Sequence, residues 1–167
     1  MRLLEWLAFA AVLGAPAAFA QEVNVTASGA FGHVALSSGF ASPYKITLPA
    51  GGTVSANGLG AGCTGIISDR AVYSIDYTAG TAPLFFAAVA GDDTMLAIYG
   101  PDGAWRCDDD SYGNRNPLVR IETPQSGRYQ VFIGVYSPAT GAPDTQLLVS
   151  EGAPPSHESG GDGFELH

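Results

Sequence analysis

Short apolar runs that alternate with polar residues, each closed by glycine or proline, leave this chain few ways to fold. Tyr44, Ile46 and Leu48 alternate with Lys45 and Thr47, and Tyr73, Ile75 and Tyr77 alternate with Ser74 and Asp76. Tyr129, Val131, Ile133 and Val135 likewise set one apolar face against Arg128, Gln130 and Gly134. A period of two sends successive side chains to opposite faces of a strand, so these segments read as half-buried strands. Leu84–Val89 is apolar throughout and reads as a central strand buried on both faces. Further strands are expected at 31–35, 53–59, 95–99, 118–122 and 146–151. The joins carry turn chemistry: Pro49-Ala50-Gly51-Gly52, Asn57-Gly58, Pro101-Asp102-Gly103 and Pro124-Gln125-Ser126-Gly127. No segment sustains a helical period. With 22 glycines, 11 prolines and 14% charged residues, the expected fold is all-β: a single antiparallel β-sandwich, jelly-roll-like, with one disulfide.

Residues 1–20 stand apart from that pattern. Arg2 gives a positive start, an apolar stretch runs from Leu3 to Leu13, and Ala18-Phe19-Ala20 fits a signal-peptidase site. The apolar run falls short of the roughly 18 residues a spanning helix needs. Export is therefore expected, with Gln21 as the mature N-terminus, to the periplasm or the extracellular space of a bacterium. No later segment reads as a membrane span. Residues 21–151 are expected to form the sandwich, and the Gly/Pro/Ser-rich residues 152–167 a disordered tail.

The formal charge is −9. The bases are scattered and make no patch, which argues against nucleic acid and anionic lipid as partners. In an oxidising compartment, Cys63 and Cys107 are expected to pair. They lack the C-x-x-C spacing of a redox pair, and no histidine lies near them in sequence.

Two acidic clusters stand out, Asp92-Asp93 and Asp108-Asp109-Asp110. Adjacent carboxylates on a loop repel one another unless they are solvated or hold a cation. Calcium takes six to eight oxygens from such loops, so Asp108, Asp109, Asp110 and Asn116 are its candidate ligands, with Asp92 and Asp93 completing the shell. The alternative is a solvated acidic turn. Trp105, Tyr99 and Tyr112 flank the cluster and are candidate ligand-binding rings, because aromatic faces beside carboxylates and amides suit carbohydrate or peptide recognition. Trp105 capping the core beside the disulfide is the structural alternative.

Catalytic constellations are hard to assemble from this sequence. No G-x-S-x-G elbow occurs, His33 is the one histidine inside the strand region, and adjacent aspartates in one turn cannot straddle a glycosidic bond.

Residues 92–151 also carry three features in order. Asp93-Thr94-Met95-Leu96 leads to Tyr99-Gly100-Pro101-Asp102-Gly103; the acidic loop then leads to Asn116-Pro117; Pro124-Gln125-Ser126-Gly127-Arg128-Tyr129 opens a strand of Gly-x-Tyr-x-Val type. In this order they resemble the bacterial pre-peptidase C-terminal domain, a β-sandwich attached to secreted proteases and other exported enzymes. The resemblance covers about half of the mature chain. No protease domain precedes it here, so it implies the accessory module standing alone. The expected function is non-catalytic binding of an envelope or extracellular glycan or of a protein partner, with calcium as a stabilising cation. A secreted hydrolase or a purely structural envelope protein is the alternative.

Overall fold

The structure, a computed structural model, describes residues 22–138 and 141–156. The expected leader lies outside the described residues, as do residues 157–167 of the expected tail. Eleven strands are described: β1 His33–Ser37, β2 Tyr44–Pro49, β3 Val54–Ser55, β4 Ile66–Ile67, β5 Tyr73–Thr78, β6 Leu84–Val89, β7 Thr94–Tyr99, β8 Trp105–Asp108, β9 Leu118–Ile121, β10 Gly127–Val135 and β11 Asp144–Glu151. They form two sheets packed face to face, a β-sandwich. Among the described residues no helix is long and apolar enough to cross a membrane.

One sheet has four strands in the order β2-β11-β6-β9, all antiparallel. The other has seven strands built around β10. The first half of β10 pairs with β5 and the second half with β7. Strand β8 extends from β7, while β4 and β3 continue from the far end of β10. Strand β1 lies parallel to β5, the one departure from antiparallel pairing among the described strands.

The alternation read from the sequence is the alternation of the packing. Tyr129, Val131, Ile133 and Val135 of β10 face inward onto Phe86, Leu147 and Val149 of the other sheet. Strand β6 is buried on both faces because Phe86 and Ala88 enter this core while Ala87 packs outward with Tyr112 and Leu148. A second apolar layer covers the outer face of the larger sheet. There Met95, Ala97 and Phe132 meet Val54, Ala56, Cys63 and Ile67, carried by the β3–β4 segment folded over them. Gly134 makes that closure possible, since a Cβ there would come within 2.5 Å of the Ile66 carbonyl oxygen and 2.7 Å of Met95 Sδ.

Three of the departures from the expected boundaries have a visible cause. Strand β1 starts two residues late because Gly32, at φ 114°, closes a turn onto Gly29. Strand β3 is only two residues long, since Asn57-Gly58 turns the chain away with Gly58 at φ 90°. Residues 152–155, expected to belong to the tail, are held in place. The Gly152 amide donates to Pro83 O, Ser150 Oγ donates to Ala153 O, and Tyr112 Oη donates to the Pro155 carbonyl. These bonds dock residues 152–155 against the outer face of the four-stranded sheet.

Glu151 ties the end of β11 to the turn after β1. Its carboxylate accepts hydrogen bonds from the Gly39 amide, the Ser38 hydroxyl and Tyr77 Oη. These donors, the Gly39 amide foremost, hold its pKa below the usual glutamate value. Burial, followed by the bond to Glu151, pushes the Tyr77 hydroxyl up to about 12. A depressed carboxylate stabilises the fold above its ordinary pKa and loses that contribution as pH falls through the lowered one. Thermal melts from neutral to strongly acidic pH are thus expected to fall less steeply for Glu151→Gln than for wild type; parallel curves would remove Glu151 from the acid response.

Candidate functional site

Tyr99 ends β7 and Trp105 opens β8, and the two are directly paired across the antiparallel ladder. The turn between them is fixed by sequence. Gly103 sits at φ 74° and donates to Gly100 O, and Asp102 caps the Ala104 amide while pairing with Arg106. The rings of Tyr99 and Trp105 lie 5.1 Å apart, tilted by 55°. Behind them Phe132 packs against Trp105 at 5.2 Å. Trp105 therefore caps the outer apolar layer and stays partly exposed at the surface.

These rings floor a cleft of about 670 Å³. One wall is β3 and its neighbours, contributing Thr53, Ser55, Asn57 and Leu59; the opposite wall is the N-terminal segment, contributing Glu22, Val23 and Val25. Each wall is anchored by an identifiable device. The Cys63–Cys107 disulfide (S–S 2.04 Å) fastens the loop after Leu59 to β8. Within that loop Gly60 lies so close that a Cβ would sit 3.0 Å from Trp105 Cβ. The N-terminal wall is held by Gln130, whose Nε2 donates to the carbonyls of Val25 (2.9 Å) and Ala27 (2.8 Å). Gln130 Oε1 accepts from Ser74 Oγ at 2.6 Å, and that hydroxyl accepts from the Gly29 amide. The Asn24 amide adds a bond of 2.6 Å to Asp69 O. An apolar floor with hydroxyl and amide groups at its rim, in a cleft within the roughly 300–1,000 Å³ range of ligand sites, is suited to holding a ligand.

The acidic loop is organised differently. Asp108 uses both carboxylate oxygens inside the loop: it accepts from the Ser111 amide and hydroxyl and from the Leu118 amide. Asn116 is buried; its Oδ1 accepts from the Ala90 amide and its Nδ2 donates to Asn114 O. Burial, then the charges of Asp110 and Asp108, raises the Asp109 pKa above its ordinary value. Asp92 and Asp93 precede β7, whose register with β8 puts them at the same end of the sheet as Asp108. Among the described residues, no three Asp, Glu, His or Cys side chains converge into a group that could hold a metal. Asp108 and Asn116 are committed to the loop itself, and Asp109 accepts from the Thr64 hydroxyl at 3.4 Å.

The structure therefore divides the residues singled out from the sequence. It joins Tyr99 and Trp105 in the cleft. It sends Tyr112 to the other sheet, buried against Ala87 and Leu148. His33 is exposed on β1, opposite Ser74 in the β1–β5 register.

No protein-family model matches this chain, and no curated protein does. Among solved structures, Aeromonas hydrophila PliG, a periplasmic lysozyme inhibitor of g-type lysozyme, is similar over 71% of this chain and 96% of its own, at 13% identity and a TM-score of 0.39. At that distance the likeness carries no functional argument.

The cleft walls escaped the sequence reading. Ser55 ends the two-residue strand β3, Asn57 read only as half of the Asn57-Gly58 turn, and Val23, Val25 and Gln130 read as ordinary strand or terminal residues. The one available signal was Gln130, a large amide inside the longest strand of the sandwich, where a buried polar group needs partners.

Proposed function

We propose that this chain is an exported, non-catalytic binding module that holds a component of the cell envelope or extracellular medium in the Tyr99–Trp105 cleft. The observation that supports this reading is the aromatic pair, backed by Phe132 and half-open to solvent between two anchored walls. The cleft lining holds no histidine or cysteine, and its titratable side chains are Glu22 and Tyr99. The pre-peptidase C-terminal resemblance is compatible with an accessory binding role of this kind.

Trp105 is the only tryptophan from Gln21 onward, so the emission of the mature protein reports on the cleft itself. Titration with soluble peptidoglycan fragments, neutral oligosaccharides and extracellular protein fractions is expected to yield a ligand that shifts this emission and shields it from acrylamide. Asn57→Ala is expected to weaken that ligand several-fold. A partner that binds without changing Trp105 emission would place the site elsewhere.

Calcium is proposed as a stabilising cation through Asp109 and Asp110, relieving the repulsion between neighbouring carboxylates that adds to burial in raising the Asp109 pKa. Bound tenfold above its Kd, it would add about 1.4 kcal/mol. The melting temperature is expected to rise by a few degrees from EDTA to millimolar calcium, and not to rise in Asp109→Ala. Superimposable wild-type melts would remove calcium from the account.

A further inference from the structure

The cleft does not end at its own walls. A depression of about 260 Å³ on one side shares Val25 and Tyr99 with it, and adds Thr26 and Arg128. On the other side, a depression of about 330 Å³ shares Ser55 and Asn57 with it and is lined further by Thr64 and Tyr136. The three are contiguous through common residues and form one shallow track over the outer face of the seven-stranded sheet. Tyr136 is 55% exposed, one of two large hydrophobic side chains so exposed among the described residues. The hydrophobic effect does not explain its position, because it covers no core. Its place at one end of a track whose centre is Trp105 and Tyr99 does.

We infer that this track binds a linear, uncharged oligosaccharide of several sugars, with Trp105 and Tyr99 holding the central units and Tyr136 a unit towards one end. This inference rests on the cleft being the binding site, and it names the ligand class and length. Aromatic rings stack on the C–H faces of pyranoses, while the hydroxyl and amide groups between the rings, Thr53, Ser55, Asn57 and Thr64, match sugar hydroxyls. The lining carries two formal charges. Arg128 is already engaged by Asp76, at 2.7 Å from Nε, and Glu22 lies at the far wall from β3. A charged polymer would find little to pair with. An extended peptide captured by strand addition needs a free sheet edge to template it; β3 is two residues long, and the edge of β8, four residues long, is tied to the neighbouring loop by the Cys63–Cys107 bond.

The experiment is a fluorescence and calorimetric titration of the oxidised, mature protein with β-1,4-linked oligomers of glucose and of N-acetylglucosamine, from disaccharide to hexasaccharide, and with a library of extended peptides. Affinity is expected to rise about tenfold with length for one sugar series, as one added ring contact would give. Tyr136→Ala is expected to abolish that rise while leaving disaccharide affinity unchanged, and Phe31→Ala, off the track, to change neither. Sugar binding that is independent of length and of Tyr136 would overturn the track and keep the cleft. Peptides that shift Trp105 emission while no sugar does would overturn the ligand class and keep the cleft. Sugars that bind without touching Trp105 emission would overturn both readings.

Discussion

Opening the Cys63–Cys107 disulfide is expected to lower stability by about 4 kcal/mol, because the bond closes a loop of 44 residues and so restricts the unfolded chain. For a domain of this size that corresponds to a fall in melting temperature of roughly 10–20 °C. The double variant Cys63→Ala, Cys107→Ala makes the cleaner comparison, since Cys63 is buried and free thiols could re-pair. The loss has a local side as well. Between the cysteines run β4, β5, β6 and β7, four of the eleven described strands, while the loop that the bond secures carries Leu59 to the cleft. Acrylamide quenching of Trp105 is therefore expected to increase in the double variant well below its melting temperature. A melt unmoved by reductant, in protein shown to be fully reduced, would mean that the outer apolar layer holds this loop unaided.

Replacing Gln130 with Leu is expected to destabilise the protein by about 2–4 kcal/mol, although Leu is close to Gln in volume and apolar like its neighbours. The carboxamide joins β5 to the N-terminal segment through three direct hydrogen bonds. With Leu in its place, the Val25 and Ala27 carbonyls face a hydrocarbon, and Ser74 loses its acceptor while keeping the Gly29 amide. The damage should concentrate on residues 22–30, which have no strand of their own to hold them. Hydrogen exchange there is expected to accelerate before the sheets lose protection, and ligand affinity at the cleft to fall with it. Ser74→Ala, which spares both carbonyl contacts, should be markedly milder. Unchanged exchange in residues 22–30 of Gln130→Leu would show that Asn24 and the apolar contacts of Val23 and Val25 suffice.

The β-sandwich could be read directly because period-two alternation is a local property that the packing preserves. Leu84–Val89 and the stretch from Tyr129 to Val135 were recognisable as strands for that reason. The pairing of Cys63 with Cys107 followed from there being two cysteines in a chain read as exported. What escaped depended on long-range closure. Strand β4 is two residues long and exists only because β10 and β3 meet it. The parallel β1–β5 contact has no sequence signature, since a strand's alternation is the same in either direction. Of the cleft residues, Tyr99 and Trp105 were legible as rings flanking the acidic cluster. Tyr112 looked equivalent in the sequence but lies after β8, where the chain crosses to the other sheet to begin β9. Asp108 shows why a run of acids is ambiguous: a carboxylate that organises its own loop reads the same as one that awaits a cation.

The two ends of the described chain leave from opposite faces of the sandwich. Residues 22–27 lie over the larger sheet beside the cleft, and residues 152–155 lie over the smaller one. A surface chemist would exploit this polarity. Protein immobilised through its C-terminal side presents the cleft outward to whatever flows past, whereas attachment at the N-terminus crowds its mouth. Two sensor chips prepared in these opposite orientations from one protein would therefore differ in capacity for the same analyte.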